Sequence, residues 1–144
     1  MDRTHNPEFT MLEWYEAYAD YRDIMARFDE LITGLLREVL GETTITRRGV
    51  GLDFSAPFRR VSFVDGIRDI CGIDVLNDSE DAIREQLVKL GYERDQVASI
   101  AGGKLLDELF CATLEPALIQ PTFVVDYPRA LSPLAKPHRD DPRL

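Results

Sequence analysis

Glu13 and Tyr15 are the two side chains whose types and spacing most suggest chemistry, and they lie in the run His5-Asn6-Pro7-Glu8-Phe9-Thr10-Met11-Leu12-Glu13-Trp14-Tyr15. With the strand period of two, Phe9, Met11, Glu13, Tyr15 and Ala17 share one face, and Thr10, Leu12, Trp14 and Glu16 the other. Both faces are largely apolar, which predicts an interior strand. A carboxylate buried between a methionine and a phenol is costly unless something cationic, or a set of hydrogen-bond donors, meets it. An arginine or lysine of the chain itself, hydrogen-bond donors, or a cation brought by a ligand satisfy that need, and the residues leave these open. His5 and Asn6, each able to donate hydrogen bonds, stand where the chain enters the strand. Pro7 holds the entry extended, and Phe9 offers a flat apolar ring. A polar mouth, an aromatic platform, then a carboxylate and a phenol suit a pocket with a purine near the rim and a small cation deeper. The same order also describes an ordinary strand with a polar end and a core phenylalanine.

The elements that must position these groups follow in order. From Tyr21 to Leu40, Ile24, Met25, Phe28, Leu31, Ile32, Leu35, Leu36, Val39 and Leu40 recur at three- and four-residue spacing, which predicts a core helix packed on a sheet. Gly41 stops it. Residues 43–54 hold two β-prone runs around Arg47-Arg48-Gly49 and predict a hairpin. Arg47 and Arg48 read as solvated turn residues, with a phosphate contact as the less common alternative. Pro57 ends the hairpin, and Ser62 with Asp65 opens a short helix that Gly72 closes. Residues 73–118 read as a helical insertion. Ser79 caps one helix through Leu90, and another begins near Gly103 and runs to Leu114 before Pro116. Gly102-Gly103-Lys104 lacks the rest of a P-loop and reads as a turn. Pro121 to Tyr127 predicts a buried strand, and residues 137–144 a loose polar tail in which His138 is solvated.

Composition sets the bounds. The 144 residues, 44% hydrophobic and 30% charged, suit one folded domain. A net charge of −9 argues against a stand-alone nucleic-acid binder, which needs clustered cations. Cys71 and Cys111 follow no metal-ligand spacing and read as reduced thiols in helices of a cytoplasmic protein. No apolar run approaches 18 residues, so no membrane partner is expected.

The run from Arg3 to Tyr15, continued by Ala17-Tyr18-Ala19-Asp20-Tyr21, closely resembles the second signature motif of class II lysyl-tRNA synthetases. A second match is Gln120-Pro121-Thr122-Phe123 through Tyr127-Pro128 to Ser132-Pro133-Leu134-Ala135-Lys136, similar to a later strand and turn of the same catalytic domain. The resemblance implies an α+β fold, part of the class II antiparallel sheet with packed helices. It also implies activation of lysine by ATP with Mg²⁺, transfer to tRNA(Lys), and a homodimer at full length. On these positions it places His5, Asn6 and Phe9 at ATP, with Phe9 against adenine, and Glu13 and Tyr15 at the amino acid, so that the cation awaited by Glu13 becomes an ammonium of lysine.

The first signature motif, the arginine-bearing first strand of the second, the third motif and the acidic metal-holding strand have no counterpart in this sequence. No catalytic residue or metal ligand is therefore assigned, and the chain reads as a piece of a larger synthetase or the product of a truncated reading frame. Two other readings stand beside it: a non-catalytic relic serving as an association module, and a synthetase-like enzyme that transfers lysine to a protein.

Overall fold

A computed structural model describes residues 6–144; the expectation for His5 lies outside them. Helix α1, Tyr21–Leu40, starts at a reciprocal capping box: the Asp20 carboxylate accepts from the Arg22 N–H, and the Asp20 N–H donates to the Asp23 carboxylate at 2.8 Å. The hairpin follows, β1 (Thr44–Arg47) against β2 (Val50–Asp53), antiparallel, with Arg47 opposite Val50. Its two-residue loop, Arg48 at φ 51° and Gly49 at φ 80°, has the positive dihedrals of a type I′ turn. The chain then forms β3 (Arg59–Ser62), α2 (Phe63–Cys71), α3 (Glu80–Lys89), α4 (Arg94–Ala98), α5 (Gly102–Ala112), a 3₁₀ turn at Glu115–Ala117 and β4 (Thr122–Val125). Ser62 caps α2 and Ser79 caps α3, as their spacing predicts.

Helices with two small sheets make this an α+β arrangement. Only the hairpin is antiparallel; β3 and β4 run parallel, Arg59 opposite Thr122 and Ser62 opposite Val125. Sequence reasoning missed β3 because Arg59-Arg60 looks like a charged linker. It missed α4 because five residues are too few to show a helical period.

The main core lies where α2, α3 and α5 meet. Phe63, Ile67, Leu87, Leu105 and Leu109 are fully buried there, with Ile83, Val97 and Leu114 around them. The Phe63 ring stacks on Phe110 and tilts against Tyr127, each at 5.1 Å between centroids. The ends of α3 and α5 are stapled together. Glu80 accepts from the Gly102 N–H at 2.8 Å and from Arg84 at 2.6 Å, while Arg84 also reaches Asp81 and the Ile100 carbonyl. This internal carboxylate takes the electropositive start of α5, where Gly102-Gly103-Lys104 stands.

Two expectations are corrected. Residues 9–17 are not an interior strand: they carry no strand partner among the described residues and are exposed throughout. Apolar alternation allows a strand, but pairing makes one, since each extended residue leaves an N–H and a C=O to satisfy. Helix α1 also buries less of its apolar stripe than the period implies. Its buried residues are Met25, Asp29 and Thr33, whereas Phe28, Leu35, Val39 and Leu40 are exposed. Asp29 accepts from the Phe58 N–H at 3.1 Å and Thr33 donates to the Phe54 carbonyl at 2.7 Å, so polar anchors turn the helix to one side of its apolar face.

Residues 137–144, expected to be loose, are hydrogen-bonded to the body. The Arg129 N–H donates to the Arg143 carbonyl at 2.7 Å, and Arg143 reaches Asn77 at 3.1 Å. The same guanidinium grips Asp141 and holds that carboxyl down at about 2.

Candidate functional site

The two stretches singled out by sequence enter the fold very differently. Residues 6–20 form an irregular arm ahead of α1, with a bend at 7–8 and a turn at 17–18. Phe9 is 69% exposed and Tyr15 91%, and Asn6 and Glu13 are exposed as well. Tyr15 donates through its hydroxyl to Glu13 Oε1 at 3.1 Å, so the structure does bring the carboxylate and the phenol together. It encloses neither. Glu13 is not the buried carboxylate that the strand reading required, and the physical argument that it awaits a cation loses its basis here. Glu16, a neighbour on the other face, pairs with Arg27 of α1 at 3.5 Å, and Arg139 reaches Asp20 at 3.5 Å. These contacts tether the arm near the helix without covering Phe9 or Tyr15.

The second stretch is built into the body. β4 lies against β3, and Phe123 meets Phe58 and Phe28, each at 5.9 Å between centroids. Tyr127 packs on Phe63, and burial pushes its phenol above the ordinary range. Gln120, the first residue of this stretch, was given no role of its own by the sequence. It accepts from the Asp53 N–H at 3.0 Å and donates to the Gly51 carbonyl at 2.9 Å, satisfying the outer edge of β2 as a short extra strand would. A glutamine beside a proline gives no sign of such a role; the partner lies 67 residues away.

Two open cavities flank these strands. The first, about 360 Å³, is lined by Arg22, Arg60 and His138 against Asp126, Asp140 and Asp141, with Tyr21, Met25 and Val125 beneath. Its charges largely compensate one another, and His138 Nδ1 accepts from the Asp140 N–H at 3.2 Å. His138, expected to be solvated, is half-buried on this wall. The second cavity, about 380 Å³, lies between Asp53, Ser55, Pro57, Phe58, Arg59, Gln120 and Pro121. The Ser55 hydroxyl and N–H hold the Asp53 carboxyl below its usual range. Neither wall includes Asn6, Phe9, Glu13 or Tyr15. Among the described residues no three of His, Cys, Asp and Glu are placed to hold a metal ion. The exposed arm offers a nucleotide a flat ring and a few polar groups but, among the described residues, no cradle.

Similarity to known proteins extends over the entire chain. The family model for tRNA synthetases class II (D, K and N) matches residues 1–144. A lysine–tRNA ligase of Roseiflexus castenholzii is 48% identical over 145 residues, covering 100% of this chain and 29% of the relative. One of Porphyromonas gingivalis is 42% identical over 144 residues, covering 100% and 25%. One of Moorella thermoacetica is 45% identical over 140 residues, covering 96% and 28%. The chain thus spans between a quarter and three-tenths of the length of the relatives it matches.

Proposed function

The chain belongs to the class II tRNA synthetases of the D, K and N group, and from that premise we propose that it is part of the catalytic domain of a lysine–tRNA ligase. The observation that carries the choice of lysine is the match to relatives of that name, at 42–48% identity over the full chain. In this reading the protein activates lysine with ATP and Mg²⁺ to lysyl-adenylate and passes it to tRNA(Lys), acting as a homodimer in the cytoplasm. Residues 1–144 form one partial domain, contributing a share of the class II antiparallel sheet, with 73–118 as a helical insertion. His5, Asn6 and Phe9 serve ATP, and Glu13 and Tyr15 the amino acid. Support for these five positions is their place in the signature motif. The contact between Tyr15 and Glu13 is compatible with a shared polar wall that acquires its depth from further residues of a longer protein.

The test is a hybrid in which residues 1–144 replace the matching segment of the Roseiflexus ligase, assayed by amino-acid-dependent pyrophosphate exchange. Lysine should support exchange, and aspartate and asparagine should not. Glu13→Gln should cut lysine-dependent exchange by about 100-fold, in the range lost when a buried charge loses its partner (about 3 kcal/mol). Exchange driven by aspartate or asparagine would overturn the substrate, and an unaffected Glu13→Gln hybrid would overturn the residue.

A further inference from the structure

We propose that the tip of the β1–β2 hairpin, Arg47 and Arg48, is a contact for the phosphate backbone of RNA. Four observations converge on it. Charge is distributed unevenly along this acidic chain: residues 73–118 hold ten carboxylates against four cations, whereas residues 37–60 hold five arginines against Glu38, Glu42 and Asp53. Within the hairpin the signs are separated. Asp53 pairs with Thr44 at the base, and Arg47 pairs with Val50 at the tip, about 10 Å along the strands at ~3.3 Å per residue.

The arginines are also available. Both are exposed, and among the described residues neither guanidinium makes an ion pair or hydrogen bond, a state shared by Arg37, Arg59, Arg60 and Arg129, whereas those of Arg27, Arg68, Arg84, Arg94, Arg139 and Arg143 are paired. Further, Arg48 holds φ 51°, a left-handed conformation for which a type I′ turn favours Asn, Asp or Gly. A long cation there is conformationally costly, and such costs are retained where the side chain has work to do. Finally, the tip projects from a fixed base. Gln120 clasps β2 at Gly51 and Asp53, the Phe54 N–H donates to the Thr43 carbonyl at 2.9 Å, and Thr33 ties Phe54 to α1.

Two adjacent guanidinium forks on a rigid projection suit phosphate oxygens, and phosphate contacts fix register without reading sequence. RNA as the polyanion rests on the tRNA-ligase reading above; the exposed pair itself does not.

The experiment titrates the 144-residue chain into a fluorescein-labelled tRNA transcript, follows anisotropy, and varies salt from about 50 to 200 mM. The double variant Arg47→Gln/Arg48→Asn keeps a residue suited to the turn, and its melting curve should match the parent's. Its affinity for the transcript should fall about fivefold or more, with the slope of log K against log salt reduced by about one to two. Arg68→Gln/Arg94→Gln makes the same change in net charge elsewhere and should leave binding unaltered. Absence of parent binding at the lower salt, equal loss in both double variants, or full displacement of the transcript by poly-glutamate would each overturn the proposal. The lysine-exchange hybrid contains no RNA step, so failure of either result is distinguishable from failure of the other.

Discussion

A methyl group added at position 103 would lie 2.4 Å from the Ala130 carbonyl oxygen, because the first turn of α5 runs directly under the turn at residues 130–131. Backbone cannot retreat as a side chain can. Gly103→Ala should therefore destabilise the chain by about 1–3 kcal/mol despite the gain in helix propensity, read as a lower urea midpoint. Gly66→Ala meets instead side-chain ends, Leu114 at 2.6 Å and Val61 at 3.0 Å, and should cost less. If the two variants unfold at the same midpoint, the close approach at Ala130 is not as described. Thiol chemistry is decided at the same scale. Cys111 is exposed as a residue, but partial desolvation of its sulfur first, then hydrogen bonding with Glu115, pushes the thiol up to about 11. At pH 8 its alkylation by iodoacetamide should run slower than that of an ordinary thiol. Labelling at the rate of a free peptide cysteine would contradict this environment. Glu13 gives the opposite lesson: its type and neighbours suggested burial, and the side chain is exposed with one phenol for company.

Helix α1 shows how far an element can be read before its neighbours are known. Its bounds and its stop at Gly41 were legible in the sequence, because they depend on contacts three or four residues apart. The face it buries was not. At about 100° per residue, the buried line Met25, Asp29, Thr33 runs beside the apolar stripe, not along its middle. What turns the helix is a pair of hydrogen bonds to Phe54 and Phe58, residues 21 and 29 positions away, which no helical period encodes. Asp29→Ala should leave the Phe58 N–H without an acceptor and cost about 1–3 kcal/mol, whereas Asp29→Asn keeps an acceptor and should cost less. Leu35→Lys and Val39→Lys, on the exposed part of the stripe, should shift thermal stability by no more than about 0.5 kcal/mol. A large loss from Leu35→Lys in a monodisperse sample would place that side chain in a core. The hairpin was legible for the same local reasons as the caps: two short β-prone runs and an Arg-Gly turn. β3 was hidden, since its partner β4 lies some sixty residues on and its first two residues are arginines.

For the whole molecule, the core and the signature motif are separate. The core of α2, α3 and α5 is closed by residues within the chain, so a folded body is expected from these 144 residues. The arm that carries the ligand-binding candidates joins neither cavity. A chain spanning 25–29% of its relatives, with its motif side chains exposed, should support no measurable lysine-dependent pyrophosphate exchange by itself. Turnover near that of a complete ligase would show that the arm builds a working pocket unaided.

Family membership, the caps at Ser62 and Ser79, the hairpin turn and the breaks at Gly41 and Gly72 were determined by the sequence alone, because a motif is an ordered string and a cap or turn is settled within a few residues. The tertiary structure alone decided which face of α1 is buried, that β3 and β4 run parallel, that Gln120 completes the edge of β2, and that Glu13 stands in the open. Each of those depends on groups far apart in the chain meeting in space, and a side chain's surroundings exist only once they have met.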